Sequence, residues 1–150
     1  MRVVLAVAVT LALFAVAAPA AADAREHRSD RVVATDLTAL ERAGTALLGL
    51  EAPTPSPATG PRRFVTLRVP GESLTTASVD WVALGGRPDV ADRDPHVVAY
   101  ALAGGDPRTV ELPFRLVTDA DGPLVLEGSG RYELRLTLAL DGVHVDRVEV

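Results

Sequence analysis

Cysteine is absent from this chain of 150 residues. That excludes disulfides, thiolate metal sites and cysteine nucleophiles, so the fold must be held by burial alone. Lysine is absent as well, and all 15 basic residues are arginine. Against 20 acidic residues they leave a formal net charge of -5, in keeping with GC-rich codon usage or with a salt-adapted acidic surface. An acidic chain without a basic cluster excludes nucleic acid as an expected partner. Catalytic patterns are lacking too: no serine sits in a nucleophile elbow, and no glycine loop has phosphate-binding spacing. His27, His96 and His144 are far apart in sequence, as expected of surface residues rather than ligands. The Asp119-Ala120-Asp121-Gly122 run begins like a calcium loop but lacks the later ligands and the terminal glutamate. Pro123 follows at once, so a plain turn is expected. Asp89, Asp92 and Asp94 suit a solvated acidic loop as well as a loose cation site. The expectation is a non-enzyme with no cofactor, no metal and no small-molecule substrate.

What the chain does have is an apolar N-terminal run, Val3 to Ala22, interrupted only by Thr10 and Pro19. Two readings compete. As a secretory signal it would be cleaved at Ala20-Ala21-Ala22 or Ala22-Asp23-Ala24, releasing a soluble chain. As an uncleaved anchor, residues 3–22 in helix would be roughly 30 Å long, the thickness of a hydrocarbon core. Val3, Val4, Leu5, Val7, Val9, Leu11, Leu13, Phe14 and Val16 would favour insertion by several kcal/mol in all. Arg2 stands alone before the run while Arg25, Arg28 and Arg31 follow it among acids, so flanking charge does not decide. Either reading exports the protein. About 128 residues remain beyond the run, enough for one domain with one core.

Ser29 to Leu50 has helical periodicity. Val33, Leu37, Leu40, Gly44 and Leu47 fall on one face, which is the candidate interaction face, toward the β domain or a partner. Ser29 or Asp30 would cap its start and Gly49 its end. Because nothing between Ala20 and Ser29 forbids helix, one rod over residues 3–49 is the alternative, and it favours the anchor. Residues 51–62 hold four prolines and a glycine, the composition of an extended connector and domain boundary.

From Arg63 the period becomes two. Val65, Leu67 and Val69 alternate with Phe64, Thr66 and Arg68 up to the Pro70-Gly71 turn. Thr76 to Leu84 predicts a strand with Val79 and Trp81 on one face and Val82 and Leu84 on the other. His96 to Ala103 and Arg108 to Leu112 flank a Gly104-Gly105 turn. Phe114 to Thr118 and Leu124 to Glu127 flank residues 119–123. Tyr132, Leu134, Leu136, Leu138 and Leu140 alternate without a break, and Asp141-Gly142 predicts a two-residue hairpin into Val143 to Val150. That loop sets Leu140 against Val143, Leu138 against Val145, Leu136 against Arg147 and Leu134 against Glu149. A bulge near Asp146 would return Val148 and Val150 to the core face. The fold class expected is α+β: an apolar helix continuing into an amphipathic one, then a small antiparallel β domain, either sandwich-like or a single curved sheet. The divisions are 1–22, 23–50, 51–62 and 63–150.

An apolar N-terminal helix, an amphipathic continuation and a compact β domain resemble the plan of pilin-like and pseudopilin-like envelope proteins. The opening MRVVLAVAVTLAL, the helix around DLTALERAGTALL, the PRRFVTLRVP strand and the AGGDPRTVELP turn resemble an uncharacterised family of short exported haloarchaeal proteins associated with type IV pilus and secretion loci. The resemblance implies an accessory or pilin-like component, anchored in the membrane through residues 3–22, with its C-terminal domain outside and envelope or filament proteins as partners. The alternative is a secreted β-sandwich binding module. No basic-Gly prepilin cleavage site precedes the apolar run and no glutamate lies near its start, so prepilin processing is not implied.

Overall fold

The computed structural model describes residues 2–91, 93–119 and 121–148, with the side chains of residues 2–5, 11, 13, 14, 16 and 17 outside the description. One long helix, α1 (Arg2–Leu50), leads into eight strands. These are β1 (Arg62–Val69), β2 (Val79–Leu84), β3 (Val97–Leu102), β4 (Arg108–Glu111), β5 (Leu116–Val117), β6 (Leu124–Glu127), β7 (Gly130–Ala139) and β8 (Gly142–Arg147). They form two four-stranded sheets, in the orders β1-β7-β8-β5 and β4-β3-β2-β6. All pairs are antiparallel except β5 with β8. The architecture is α+β, and both sheets and the helix share one core.

Alternation builds that core directly. Val65, Leu67 and Val69 on β1, Leu134, Leu136 and Leu138 on β7, and Val143 and Val145 on β8 all turn inward. From the second sheet come Val79, Val82 and Leu84, then Val98, Tyr100 and Leu102. β2 departs from strict alternation because its register with β3 shifts between Val79 and Trp81. This irregularity turns Val79 to the same side as Val82 and Leu84 and leaves Trp81 half-buried, correcting the expected grouping of Val79 with Trp81.

The C-terminal hairpin also differs from expectation. Ala139 pairs with Gly142, Leu138 with Val143, Leu136 with Val145 and Leu134 with Arg147, in unbroken register. Leu140 and Asp141 are therefore the loop residues, one position earlier than expected, which shifts each cross-strand partner by two residues, and Leu140 is 70% exposed. No non-glycine residue described has a positive φ, so Asp141 does not adopt the left-handed conformation that a type I′ turn on Asp141-Gly142 would require. The expected bulge near Asp146 is absent from the described residues; Glu149 and Val150 lie outside them. Sliding the register matches the apolar pairs, and the leftover mismatch at Arg147 is met by its guanidinium lying 4.9 Å over the Tyr132 ring.

The Pro-rich segment is laid against the domain. Thr54 bridges to Ala139, the amide of Leu138 donates to the carbonyl of Pro61, and a 3-10 turn over Pro57–Thr59 is capped by the Ser56 hydroxyl. Likewise residues 29–50 belong to the core of the β domain rather than standing apart from it.

Candidate functional site

α1 connects two dissimilar halves. Over residues 29–50, Val33, Leu37, Leu40 and Leu47 are at most 2% exposed, and they pack into the core shared by the two sheets, lying along β1. The face singled out by helical spacing is thus occupied by the protein's own strands. Gly44 completes it: a Cβ there would lie 2.2 Å from the Phe114 ring, so the missing side chain is what seats the phenylalanine on the helix.

Polar contacts fix the helix at both edges of the sandwich. Asp36 accepts from the Arg68 backbone amide at 2.8 Å and from its guanidinium at 3.0 and 2.8 Å. Since that amide faces outward from β1, an edge strand, a helix side chain satisfies what the sheet leaves open. On the other sheet Asp30 accepts from the Tyr100 hydroxyl and pairs with Arg108. Burial alone would raise the Asp30 pKa, but the hydrogen bonds from Tyr100 and Arg108 outweigh it and hold the carboxyl below its usual range. Ser29 is wholly buried and donates to the Ala77 carbonyl at 2.7 Å. Neither Ser29 nor Asp30 caps a helix start, because α1 runs through both; Gly49 lies inside its last turn rather than beyond it.

The other half has no such partners among the described residues. Every described side chain between residues 6 and 24 is exposed, with Val7 at 54% and Val9 at 52%. The earliest hydrogen bonds from the helix to the β domain among the described residues come at Arg25, whose Nε donates to the Leu74 carbonyl at 3.0 Å and whose own carbonyl accepts from the Ala77 amide. Among the described residues, no helix is long and apolar enough to cross a membrane. The side chains of Val3, Val4, Leu5, Leu11, Leu13, Phe14 and Val16, seven of the nine large apolar residues counted toward the anchor, lie outside the description.

A second feature opens on the outer face of the first sheet. Arg62, Asp119, Arg135, Thr137, His144 and Asp146 line a cleft of about 200 Å³ together with Pro57 and Ala58. Alternation along β7 and β8 turns Arg135, Thr137, His144 and Asp146 away from the core. Their charges are mutually engaged: Arg135 donates to Asp146 at 3.0 Å and the His144 ring meets Asp141 at 2.9 Å. The Asp146 charge, and a hydrogen bond to the same carboxyl, push the Asp119 pKa up, while the His144 contact holds Asp141 down. His144, expected at the surface, is only 9% exposed. Its outward register is legible in the alternation, but the cleft it shares with Pro57, Ala58 and Arg62 is not.

The acidic stretches expected as plain loops have local partners. Asp89 pairs with Arg87, and Asp94 accepts from the His96 amide; Asp92 and Ala120 lie outside the described residues. No group of three or more His, Asp or Glu residues suited to a metal ion is found among the described residues.

A family model described as "Domain of unknown function (DUF7311)" matches residues 1–150. No curated protein and no solved structure matches the chain.

Proposed function

This chain belongs to the DUF7311 family over its whole length, and from that premise we propose that it is a non-enzymatic envelope protein, anchored by the apolar half of α1 and displaying its β domain outside the cell. One observation carries the reading. The chain packs one face of the amphipathic half of α1 into its own core, whereas the described side chains of the apolar half are all exposed. An apolar stretch about 30 Å long gains several kcal/mol from lipid and loses it in water. The sequence from Val3 to Ala22 supplies that length and composition. Within the envelope, the role we favour is an accessory or pilin-like component of a type IV pilus or secretion apparatus, with filament or envelope proteins as partners. That role rests on the architectural resemblance of an apolar helix entering a β domain through an amphipathic continuation.

A second reading is favoured by the position of Arg25. Because the described hydrogen bonds between helix and domain begin there, cleavage after the alanines at 20–22 would leave those bonds intact. A secreted β-sandwich binding module would result, with the Arg62–His144 cleft as its polar recess. Fractionation separates the two. The anchored protein stays in the membrane pellet through high-salt and carbonate washes, whereas release of most of it by either wash would exclude the anchor.

A further inference from the structure

The turn joining β1 to β2 stands at the level where the apolar run of α1 ends. Ala22, the last residue of that run, lines a cleft with Arg25 and Glu26 of the helix, Glu72, Thr76, Ala77 and Ser78 of this connection, and Ala103 beyond β3. Helix side chains tilt toward the N-terminus, so the Arg25 guanidinium that binds the Leu74 carbonyl reaches back along the helix toward Ala22. The turn itself is tightly tied. The Ser73 amide donates to the Thr76 carbonyl at 2.9 Å, the Thr76 amide donates to the Ser73 hydroxyl at 3.1 Å, and the Thr76 hydroxyl donates to the Gly71 carbonyl at 2.8 Å. At its tip Leu74 is 89% exposed, the most exposed large apolar side chain described.

We propose that this turn is a membrane-contacting tip, with Leu74 seated in the headgroup and upper acyl region of the lipid surface beside the helix. The inference rests on the anchored reading above. If residues 3–22 fill the hydrocarbon core, the 71–78 connection lies at the interface without any further movement. A leucine held out by a pre-tied turn then loses its contact with water at little ordering cost. The neighbouring charges, Asp23, Arg25, Glu26, Arg28 and Glu72, are of both signs, so the contact is apolar rather than an attraction to anionic lipid. Two points of contact, the helix and this tip, would fix how the β domain stands on the membrane. Its opposite end is marked by Leu140, whose amide donates to the Thr54 carbonyl just past the end of α1. Arg25 to Leu50 spans about 38 Å along the helix.

A chain without cysteine permits single-site labelling. Leu74→Cys and Leu140→Cys, each carrying an environment-sensitive fluorophore, would be reconstituted full-length into phosphatidylcholine–phosphatidylglycerol vesicles with and without quencher-bearing acyl chains. Both sites are solvent-exposed, and unchanged melting of the labelled proteins verifies folding. The expected result is a blue-shifted emission at position 74, quenched several-fold more strongly than at position 140. Protein that floats with vesicles but shows water-like, unquenched emission at 74 overturns the tip while leaving the anchor standing. Equal quenching at both positions overturns it as well, and protein that fails to float overturns both readings.

Discussion

Gly142 meets two constraints at once. Its φ of +142° lies where L side chains are strained, and a Cβ would stand 2.9 Å from the Arg115 carbonyl that accepts from the Val143 amide. Gly142→Val should therefore destabilise the domain by about 2 kcal/mol or more in chemical denaturation; a loss within about 0.5 kcal/mol would mean that the hairpin entry tolerates a side chain. Gly44 presents the opposite case, an ordinary helical φ beneath an aromatic ring. Replacing it with alanine should gain up to about 1 kcal/mol in helix propensity. Because the new methyl meets the Phe114 ring, we expect net destabilisation, and Phe114→Leu in the same chain should relieve part of it. Asp30 gives a pH test. Its folded pKa is lowered, so its contribution is present above the ordinary carboxylate value of about 3.9 and is lost as pH falls through the lower folded value. The stability difference between the wild type and Asp30→Asn, followed by urea denaturation, should accordingly shrink as pH drops below about 4. A difference constant from pH 2 to pH 7 would show that the Tyr100 and Arg108 contacts do not favour the ionised form.

Among the elements, the amphipathic half of α1 and β7 are where sequence periodicity and structure can be compared most closely. Leu40 is fully buried and Thr38 is exposed. Leu40→Asp should cost more than about 3 kcal/mol or prevent folding, since it buries an unpaired carboxylate, while Thr38→Asp should change stability by about 0.5 kcal/mol or less. Similar melting of the two variants would place that helix face in solvent. On β7, Leu136→Ala should cost about 2–5 kcal/mol. Thr137 reads from alternation as an exposed residue, yet it is 2% exposed. The reason is Gly60, where a Cβ would lie 2.9 Å from the Thr137 methyl, so the segment before β1 covers the outer face of the sheet. Alternation shows which side of a strand a residue takes, but it carries no information on what later lies across that side. The same limit applies to His144, which shares a cleft with Pro57 and Ala58, and to Asp119, which the connection after β5 brings beside Asp146. Helical spacing, by contrast, marked the buried positions of α1 directly, because their cover is a single continuous surface. The hairpin register differs by two residues from the one that Asp-Gly predicts for a related reason: Asp-Gly is a strong local turn signal, and the pairing of Leu136 and Leu138 with Val145 and Val143 overrides it.

At the scale of the whole molecule, one continuous helix joins a half packed into the β domain to a half with an apolar sequence whose described side chains are exposed. The backbone is helical from Arg2 to Leu50, and Asp30, Asp36 and Ser29 fix the second half to both sheets. A domain gripped in this way would move as one body with its helix, so any orientation the membrane imposes on residues 3–22 would be passed to the two sheets. Under the anchored proposal, that grip, rather than any single group in the Arg62–His144 cleft, would set how the β domain is displayed. The most direct test is the intact mass of the protein purified from the membranes of its native cells. An N-terminus that begins at or next to Met1, with the apolar run retained, is the predicted result. A species beginning near Asp23 and recovered in the soluble fraction would contradict the anchored reading.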